Sequence, residues 1–209
     1  QFDQPYREGS LLPKRTPEER GTRATIRFDA KCVQAKIALS STSIEGAKLN
    51  LASDTNGWNF AQARSDAENE WERYLSLIDI TGSDEQKTVF YTAMYHLFTQ
   101  PCDMADVDGH YRGIDDRIAS QGEGRPYYSN LSLWDTYRAA NPLYTILTPE
   151  IVDDLVNSMV AHHEGQGYLP IWPLWGQETY CMIANHAIPV IVEAYNKGFR
   201  GFDAERAYR

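Results

Sequence analysis

The sequence lacks a long apolar run, an initial methionine and a leader-like N-terminus. No stretch approaches the roughly 18 to 20 apolar residues of a transmembrane helix, so we expect no membrane partner. Residues Gln1 to Arg7 do not show the basic and then apolar order of a signal peptide. Because the chain does not begin with Met, we expect its natural start to lie upstream. The compartment stays open, with secretion or the periplasm as candidates for the complete protein.

Cysteine is scarce. The three cysteines, Cys32, Cys102 and Cys181, are an odd number without CxxC spacing, which indicates neither a disulfide framework nor a zinc site. Cys181 falls in an apolar run that looks helical, so we expect it to be a small buried hydrophobe.

Basic residues are also in the minority, with 20 Lys and Arg against 29 Asp and Glu, a net charge of −9 and a pI near 5.0. This balance argues against a nucleic-acid partner or an anionic membrane, because both need a basic face. The chain is rich instead in tyrosine (13) and tryptophan (5). These amphipathic rings suit either a sugar-binding surface or a protein core.

The N-terminal part has the period of β-strands. Residues alternate from Thr22 to Phe28 and again from Cys32 to Leu39, which predicts two strands. Two strands alone do not make a stable sheet, so we expect further strands before Gln1.

After Asn59 the period changes to that of an amphipathic helix. The apolar positions, spaced by three and four, are Phe60, Ala63, Ala67, Trp71, Tyr74 and Ile78. Ser83 and Gln86 form a capping box that starts a second helix. Its inward residues are predicted to be Val89, Phe90, Met94 and Leu97.

The remainder is predicted to alternate loops and helices. A loop from Pro101 to Pro126 precedes a helix from Leu131 to Leu147. Thr148 is the expected N-cap of the next helix, and Gly165 and Gly167 are expected to end it. Further helices are expected from Glu178 to Lys197, kinked at Pro189 and capped by Gly198, and from Asp203 until the chain stops at Arg209. This order fits an all-β domain leading into an α/α array.

The segment from Asp106 to Gly113 resembles half of a calcium loop, with Gly109 at the sharp turn and Asp115 near its end. Met104 occupies the first ligand position, however. A turn built on Asp108 and Gly109 is the better interpretation.

Trp134 and Asp135 stand together at the start of a predicted helix. Asp135 could simply favour the helix dipole. Alternatively, its carboxylate accepts hydrogen bonds from sugar hydroxyls while Trp134 packs against an apolar ring face. The two interpretations are about equally supported by the sequence.

Glu178 follows a loop rich in Trp, Pro and Gly that begins at Gly167. A carboxyl group between indoles is desolvated, which would raise its pKa and let it hold a proton as a general acid. A capping role at a helix start remains open. We expect Trp134 and Glu178 to lie on one side of the helical array.

The histidines and known motifs point to no other chemistry. His162 and His163 are expected to interact with a helix C-terminus, and His96 and His186 to be core residues. The chain contains no GxSxG, HExxH, P-loop or GxGxxG motif before a helix, so serine hydrolase, zinc protease and nucleotide-dependent enzyme are unsupported.

Several runs resemble, in this order, motifs of glycoside hydrolase family 92, the calcium-dependent exo-α-mannosidases. The resemblance covers about Val33 to the end. The runs are Phe90 to His96, Asp106 to Gly113, Ser132 to Thr136, Glu178 to Met182, His186 to Ile191, and Lys197 to Asp203.

The resemblance implies an N-terminal β-sandwich followed by an (α/α)6 barrel that removes terminal α-mannose from glycans with inversion. The fold expected here is mainly α with a short β part. Residues 1–50 would end the sandwich, 51–82 would connect, and 83–209 would begin the barrel.

In this resemblance Glu178 matches the general acid, and Trp134 and Asp135 match sugar-contacting residues. The base carboxylates and calcium ligands would lie beyond Arg209, so the 209 residues alone are expected to be inactive. Gln177 replaces the family's Asn, and Trp175 replaces a smaller residue. Both border the acid, which leaves linkage preference and leaving-group fit open.

Two other hypotheses remain at this point. The protein could be a carbohydrate-binding paralogue that holds glycans without cleaving them, or an α/α-barrel glycosidase of another family. Sequence beyond Arg209 would distinguish the first from an enzyme, and the ordered motifs argue against the second.

Overall fold

The computed structural model describes residues 1–12, 23–54, 57–183 and 185–209. These residues are mainly helical with short strands, as predicted. Within those ranges no helix is long and apolar enough to cross a membrane. The helices are α1 (Ile44–Asp54), α2 (Phe60–Leu75), α3 (Asp84–Phe98), α4 (Leu133–Thr136), α5 (Ala140–Leu147), α6 (Val152–Gln166), α7 (Ala187–Asn196) and α8 (Ala204–Tyr208).

The strands pair locally as antiparallel two-stranded units. The first unit, β1 with β2, runs in register from Glu8↔Arg27 to Leu12↔Arg23. The others are β3 with β6, β4 with β5, and β7 with β8. The strands are β1 (Glu8–Leu12), β2 (Arg23–Arg27), β3 (Cys102–Asp103), β4 (His110–Arg112), β5 (Ile118–Ser120), β6 (Tyr128–Ser129), β7 (Pro173–Leu174) and β8 (Gln177–Glu178).

One of the two predicted N-terminal strands is confirmed and the other is wrong. Strand β2 falls within the range predicted from Thr22 to Phe28, although Thr22 itself lies outside the described residues. From Cys32 to Leu39 the chain forms only an isolated bridge, between Ala35 and Phe2. Alternation makes a segment suitable for a sheet, but a strand also needs a neighbour along its length to accept and donate its hydrogen bonds.

The two helices predicted after Asn59 are confirmed, and so are their caps. Asn59 accepts the Gln62 N–H at 3.2 Å. Ser83 and Gln86 form the reciprocal capping box. Burial differs from expectation, however, because α2 has no buried residue and Val89 of α3 is exposed.

Proline explains two differences from the predicted helices. The segment predicted as one helix from Leu131 to Leu147 is split into α4 and α5. Pro142 lies in the first turn of α5, where its missing N–H is tolerated. In the interior of one continuous helix from Leu131, the same proline would break the helix. Likewise Pro189 is the third residue of α7, so it sits at the start of that helix and does not kink it.

The prediction that a helix begins at Glu178 is wrong. Glu178 belongs to β8, and α7 begins only at Ala187. Tyr180 and Asn185 have positive φ angles of 54° and 83°, a conformation that a right-handed helix cannot contain. Cys181 consequently lies in a loop and is exposed instead of buried.

The expected helix ends near the C-terminus are confirmed. Gly198 has φ 95°, and its N–H bonds to Tyr195 O while that of Phe199 bonds to Ala194 O. These two bonds are those of a Schellman motif. Asp203 caps α8 by accepting the Arg206 N–H at 3.0 Å.

The core lies between α4, α6 and α7 and positions the loops that carry the candidate site residues. Leu133, Val156 and Met159 are completely buried there, and Ala187 of α7 packs with them. Removing such a side chain costs about 2 to 5 kcal/mol, so this part of the molecule is a rigid base for the chain segments around it.

Candidate active site

Glu178 lies on a short hairpin whose strands, β7 and β8, are joined by the two residues Trp175 and Gly176. Its Cα partner across the hairpin is Pro173. The Glu178 side chain is 0% exposed. The environment is therefore as dry as the sequence predicted, but the surrounding groups are polar.

Four backbone N–H groups donate to the Glu178 carboxylate. The N–H of Ile171 bonds to Oε2 at 2.8 Å, and that of Trp172 to Oε1 at 3.0 Å. The N–H groups of Thr179 and Tyr180 bond to Oε1 at 2.9 and 3.3 Å. Since an ionised carboxylate is a pure acceptor, this arrangement fits the charged form of Glu178.

His162 of α6 faces the same carboxylate. Its Nε2 lies 3.6 Å from Glu178 Oε2 and is buried without a hydrogen-bond partner in the described part of the chain. The imidazole is only 3% exposed, whereas His163 next to it is partly exposed. His162 is therefore not merely a helix-end residue, since its imidazole faces the Glu178 carboxylate.

These contacts lower the pKa of Glu178 to about 2. Burial alone would raise it and is the largest single influence, but His162 and the backbone N–H groups together outweigh it. The expectation of a raised pKa is therefore wrong, because it counted desolvation and could not count the donors. The role of Glu178 as an acid stays a prediction.

Trp134 and Asp135 lie in the short helix α4, which Leu133 anchors in the core. Both side chains are exposed. The Ser132 hydroxyl donates to the Asp135 carboxylate, and the Arg138 guanidinium lies 5.4 Å from the Trp134 ring. Asp135 thus keeps acceptor capacity towards solvent, while the indole has a cationic neighbour.

The structure places the two predicted site segments side by side. The Leu131 N–H donates to Pro173 O at 3.2 Å, and the Trp175 N–H donates to Asn130 Oδ1 at 2.8 Å. Pro173 in turn pairs with Glu178. The chain leading into α4 therefore borders the hairpin that carries Glu178.

The sequence patterns did not single out Asn130 and Ser129, nor connect His162 with Glu178. These residues act across 16 to 47 positions in the chain. A pattern within one segment carries no signal for such contacts. Asn130 has a φ of 58°. The only local signal for this residue is that asparagine tolerates a positive φ.

The calcium-like segment does not fit a metal site. Asp106 is buried and accepts hydrogen bonds from Ser40 at 2.7 Å, Thr42 at 2.5 Å and Asn50 at 2.8 Å. The predicted Asp-Gly turn is present, with Gly109 N–H bonded to Asp106 O. Among the residues placed by the structure, no group of three or more His, Cys, Asp or Glu side chains could hold a metal ion.

Comparison with known proteins gives one family. The model of the glycosyl hydrolase family 92 catalytic domain matches residues 46–209. The chain is similar to the family GH92 α-mannosidase BT3965 from Bacteroides thetaiotaomicron, with 32% identity and a TM-score of 0.84, over 99% of this chain and 30% of that one. The same values hold for BT3965 in complex with mannoimidazole.

The GH92 inverting mannosidase BT2199 from Bacteroides thetaiotaomicron VPI-5482 shares the fold, with a TM-score of 0.82 and 24% identity over 99% of this chain and 29% of that one. The chain therefore spans about 30% of the length of BT3965. No curated protein matches it.

Proposed function

Because the chain belongs to glycosyl hydrolase family 92, we propose that the complete protein is an exo-acting glycosidase that removes terminal α-mannose from glycans with inversion. The single observation that carries the proposal is the family match over residues 46–209, which includes the hairpin of Glu178 and the helix of Trp134 and Asp135. The similarity to BT3965, an α-mannosidase, supports mannose as the sugar.

We propose Glu178 as the general acid and Trp134 and Asp135 as sugar-binding residues. An inverting glycosidase needs one carboxylic acid to protonate the departing oxygen and a carboxylate base on the opposite face, roughly 6.5 to 9.5 Å away. The base belongs to residues beyond Arg209 in this proposal. The domain limits at 50 and 82 also remain proposals, as does the inactivity of the 209 residues alone.

For Glu178 to donate a proton, its carboxyl group has to leave the backbone N–H groups. Each of those donors stabilises the ionised form, and a pKa of about 2 leaves almost no proton on the group at neutral pH. The proposal therefore includes a rearrangement of residues 171–180 when the complete enzyme binds its sugar, which turns the carboxyl group towards the sugar and raises its pKa.

Calcium enters the proposal through the family resemblance. The ion would bind sugar hydroxyls and help distort the ring, and its ligands would lie outside the described residues. The contribution of this chain is to bind the sugar at Trp134 and Asp135 and to supply the proton from Glu178.

A second candidate function is mannose binding without cleavage. The observation that favours it is the buried, ionised state of Glu178, which suits a structural carboxylate better than an acid. In that case Trp134 and Asp135 would still bind sugar, because both are exposed.

The experiment that tests the enzyme proposal uses Glu178→Gln in the complete protein. Alkyl or sugar mannosides need protonation of the leaving group, so their hydrolysis should slow about a hundredfold to ten-thousandfold. Activated aryl mannosides should lose much less. Equal loss on both substrates with an unchanged pH profile would remove Glu178 from the acid role, and a parent protein that binds mannose but cleaves neither substrate would support the second candidate.

A further inference from the structure

The tip of the β7–β8 hairpin carries a tryptophan in a backbone conformation that tryptophan rarely adopts. Trp175 has φ 51° and Gly176 has φ 79°. Two central residues with positive φ are typical of a type I′ turn. Glycine suits the second position, but the first holds a bulky side chain, for which the left-handed region is strained.

Buried side chains hold this turn in place. The Trp175 N–H donates to Asn130 Oδ1 at 2.8 Å, and the Gly176 N–H donates to Ser129 Oγ at 2.8 Å. Asn130 and Ser129 are both buried. A Cβ atom at position 176 would lie 3.1 Å from Arg112 O, so the turn is also closely packed. The strain at Trp175 is therefore imposed by its surroundings and is not relaxed by movement of the loop.

The indole held in this way is 61% exposed and lines a cavity of about 750 Å³. This volume is in the usual range of ligand pockets. The cavity is also lined by Leu39, Asp54, Asp103 and Arg125. The Arg125 guanidinium pairs with Asp154 at 2.6 Å, and Oδ1 of Asp103 accepts two backbone N–H groups, which leaves Oδ2 of Asp103 and the carboxylate of Asp54 as acceptors. An aromatic face beside hydrogen-bond acceptors and donors suits a sugar ring, which has apolar faces and a rim of hydroxyls.

We propose that this cavity binds the sugar unit on the leaving-group side of the cleaved bond, with Trp175 stacked on that ring. The inference rests on the proposed glycosidase function. Trp175 lies three residues before Glu178 on the same hairpin, although Glu178 itself does not line the cavity. The proposal therefore places the second ring at the hairpin tip, next to the bond that Glu178 protonates. In an exo-acting enzyme the terminal unit fills the end of the site and the second ring lies towards solvent, in keeping with the exposure of the indole.

The test is Trp175→Gly in the complete protein, with an α-mannobioside and α-mannosyl fluoride as substrates. Fluoride leaves without a second ring, whereas an aryl group could itself stack on Trp175. Loss of one aromatic contact should lower kcat/KM for the mannobioside about threefold to tenfold and change that for the fluoride less than about twofold. Trp175→Phe should retain most of the activity on the mannobioside.

Melting separates a binding role from a packing role. Glycine relieves the strained φ, so Trp175→Gly should raise the Tm by about 1 °C or more. Trp58→Gly is the matched control, because Trp58 is another partly exposed indole, packed under Lys36 and outside the cavity lining. Trp58→Gly should not change the ratio of kcat/KM for the mannobioside to kcat/KM for the fluoride.

Two outcomes would overturn the proposal. One is an equal loss of kcat/KM on both substrates, and the other is a lower Tm for Trp175→Gly, which would mean that the indole packs against protein. If the parent protein cleaves neither substrate, the proposed function fails by itself. Titration with mannobiose and mannose then decides the subsite, since Trp175→Gly should weaken binding of mannobiose alone.

Discussion

The β7–β8 hairpin and the helix α4 each present one carboxylate of the proposed site, and they treat it in opposite ways. Glu178 is 0% exposed and accepts four backbone N–H groups. Asp135 is exposed and accepts the hydroxyl of Ser132. Glu178 therefore stabilises its own loop in this structure, while Asp135 is free to contact a ligand.

A carboxylate in an aromatic, proline-rich loop is therefore not by itself an acid with a raised pKa. Desolvation raises the pKa, but a loop that curls around the group also turns its N–H groups inward. The balance at Glu178 favours the charged form.

Glu178→Gln should cost the complete protein about 3 kcal/mol of unfolding free energy at neutral pH. The folded pKa of about 2 lies below the ordinary value of 4.5. The corresponding stability is present above pH 4.5 and is lost as the pH falls towards 2, at about 1.4 kcal/mol for each pH unit between the two values. The Glu178→Gln variant should lack this dependence on pH.

Urea unfolding between neutral pH and about pH 3 measures this effect. Glu164→Gln is the control, because Glu164 pairs with Arg206 at the surface and should contribute less than about 1 kcal/mol. If Glu178→Gln leaves stability unchanged, the carboxyl group faces the sugar site in the complete protein, and the contrast with Asp135 disappears.

Asp135→Ala should weaken mannose binding by about 1.5 to 3 kcal/mol, because a charged acceptor for sugar hydroxyls is lost. Stability should change little, since the side chain is exposed. Calorimetric titration with mannose and thermal melting measure the two quantities. Asp84→Ala is the control, because Asp84 is also exposed and lies in the first turn of α3. If both variants lose only stability, Asp135 is a helix-dipole residue.

Local features of the fold were predictable from the sequence, and distant contacts were not. The capping box of Ser83 and Gln86 and the cap at Asp203 depend on residues three positions apart, and both are confirmed. The helix from Glu178 was wrong because its apolar residues suggested a period that the positive φ of Tyr180 interrupts. Nothing in the local sequence reports that angle.

The site was predictable as a set of residues but not as an environment. Glu178, Trp134 and Asp135 could be named from their types and neighbours. The donors that set the charge of Glu178 depend on the path of the backbone from Ile171 to Tyr180, and His162 comes from a different helix. The local sequence therefore predicted the desolvation of Glu178 correctly and the direction of its pKa shift wrongly.

His162→Phe has the smallest expected effect and tests whether the N–H groups alone keep Glu178 ionised. The imidazole lies 3.6 Å from the carboxylate and lowers the pKa of Glu178, so its removal should raise that pKa from about 2 towards 4.5. The loss of stability at neutral pH should be about 1 kcal/mol, because the four N–H groups remain. Loss of stability on acidification should still begin near pH 4.5, but it should end at a higher pH and be smaller in total than in the parent.

The same urea titration measures this shift, with His163→Phe as the control, because His163 is the more exposed of the two neighbours. An unchanged acid profile would mean that backbone N–H groups hold the charge alone. A loss of unfolding free energy as large as that of Glu178→Gln would mean that the carboxylate is stable in this position only when paired with the imidazole. In that case the proposed opening of residues 171–180 has to separate Glu178 from α6 as well as from its own loop.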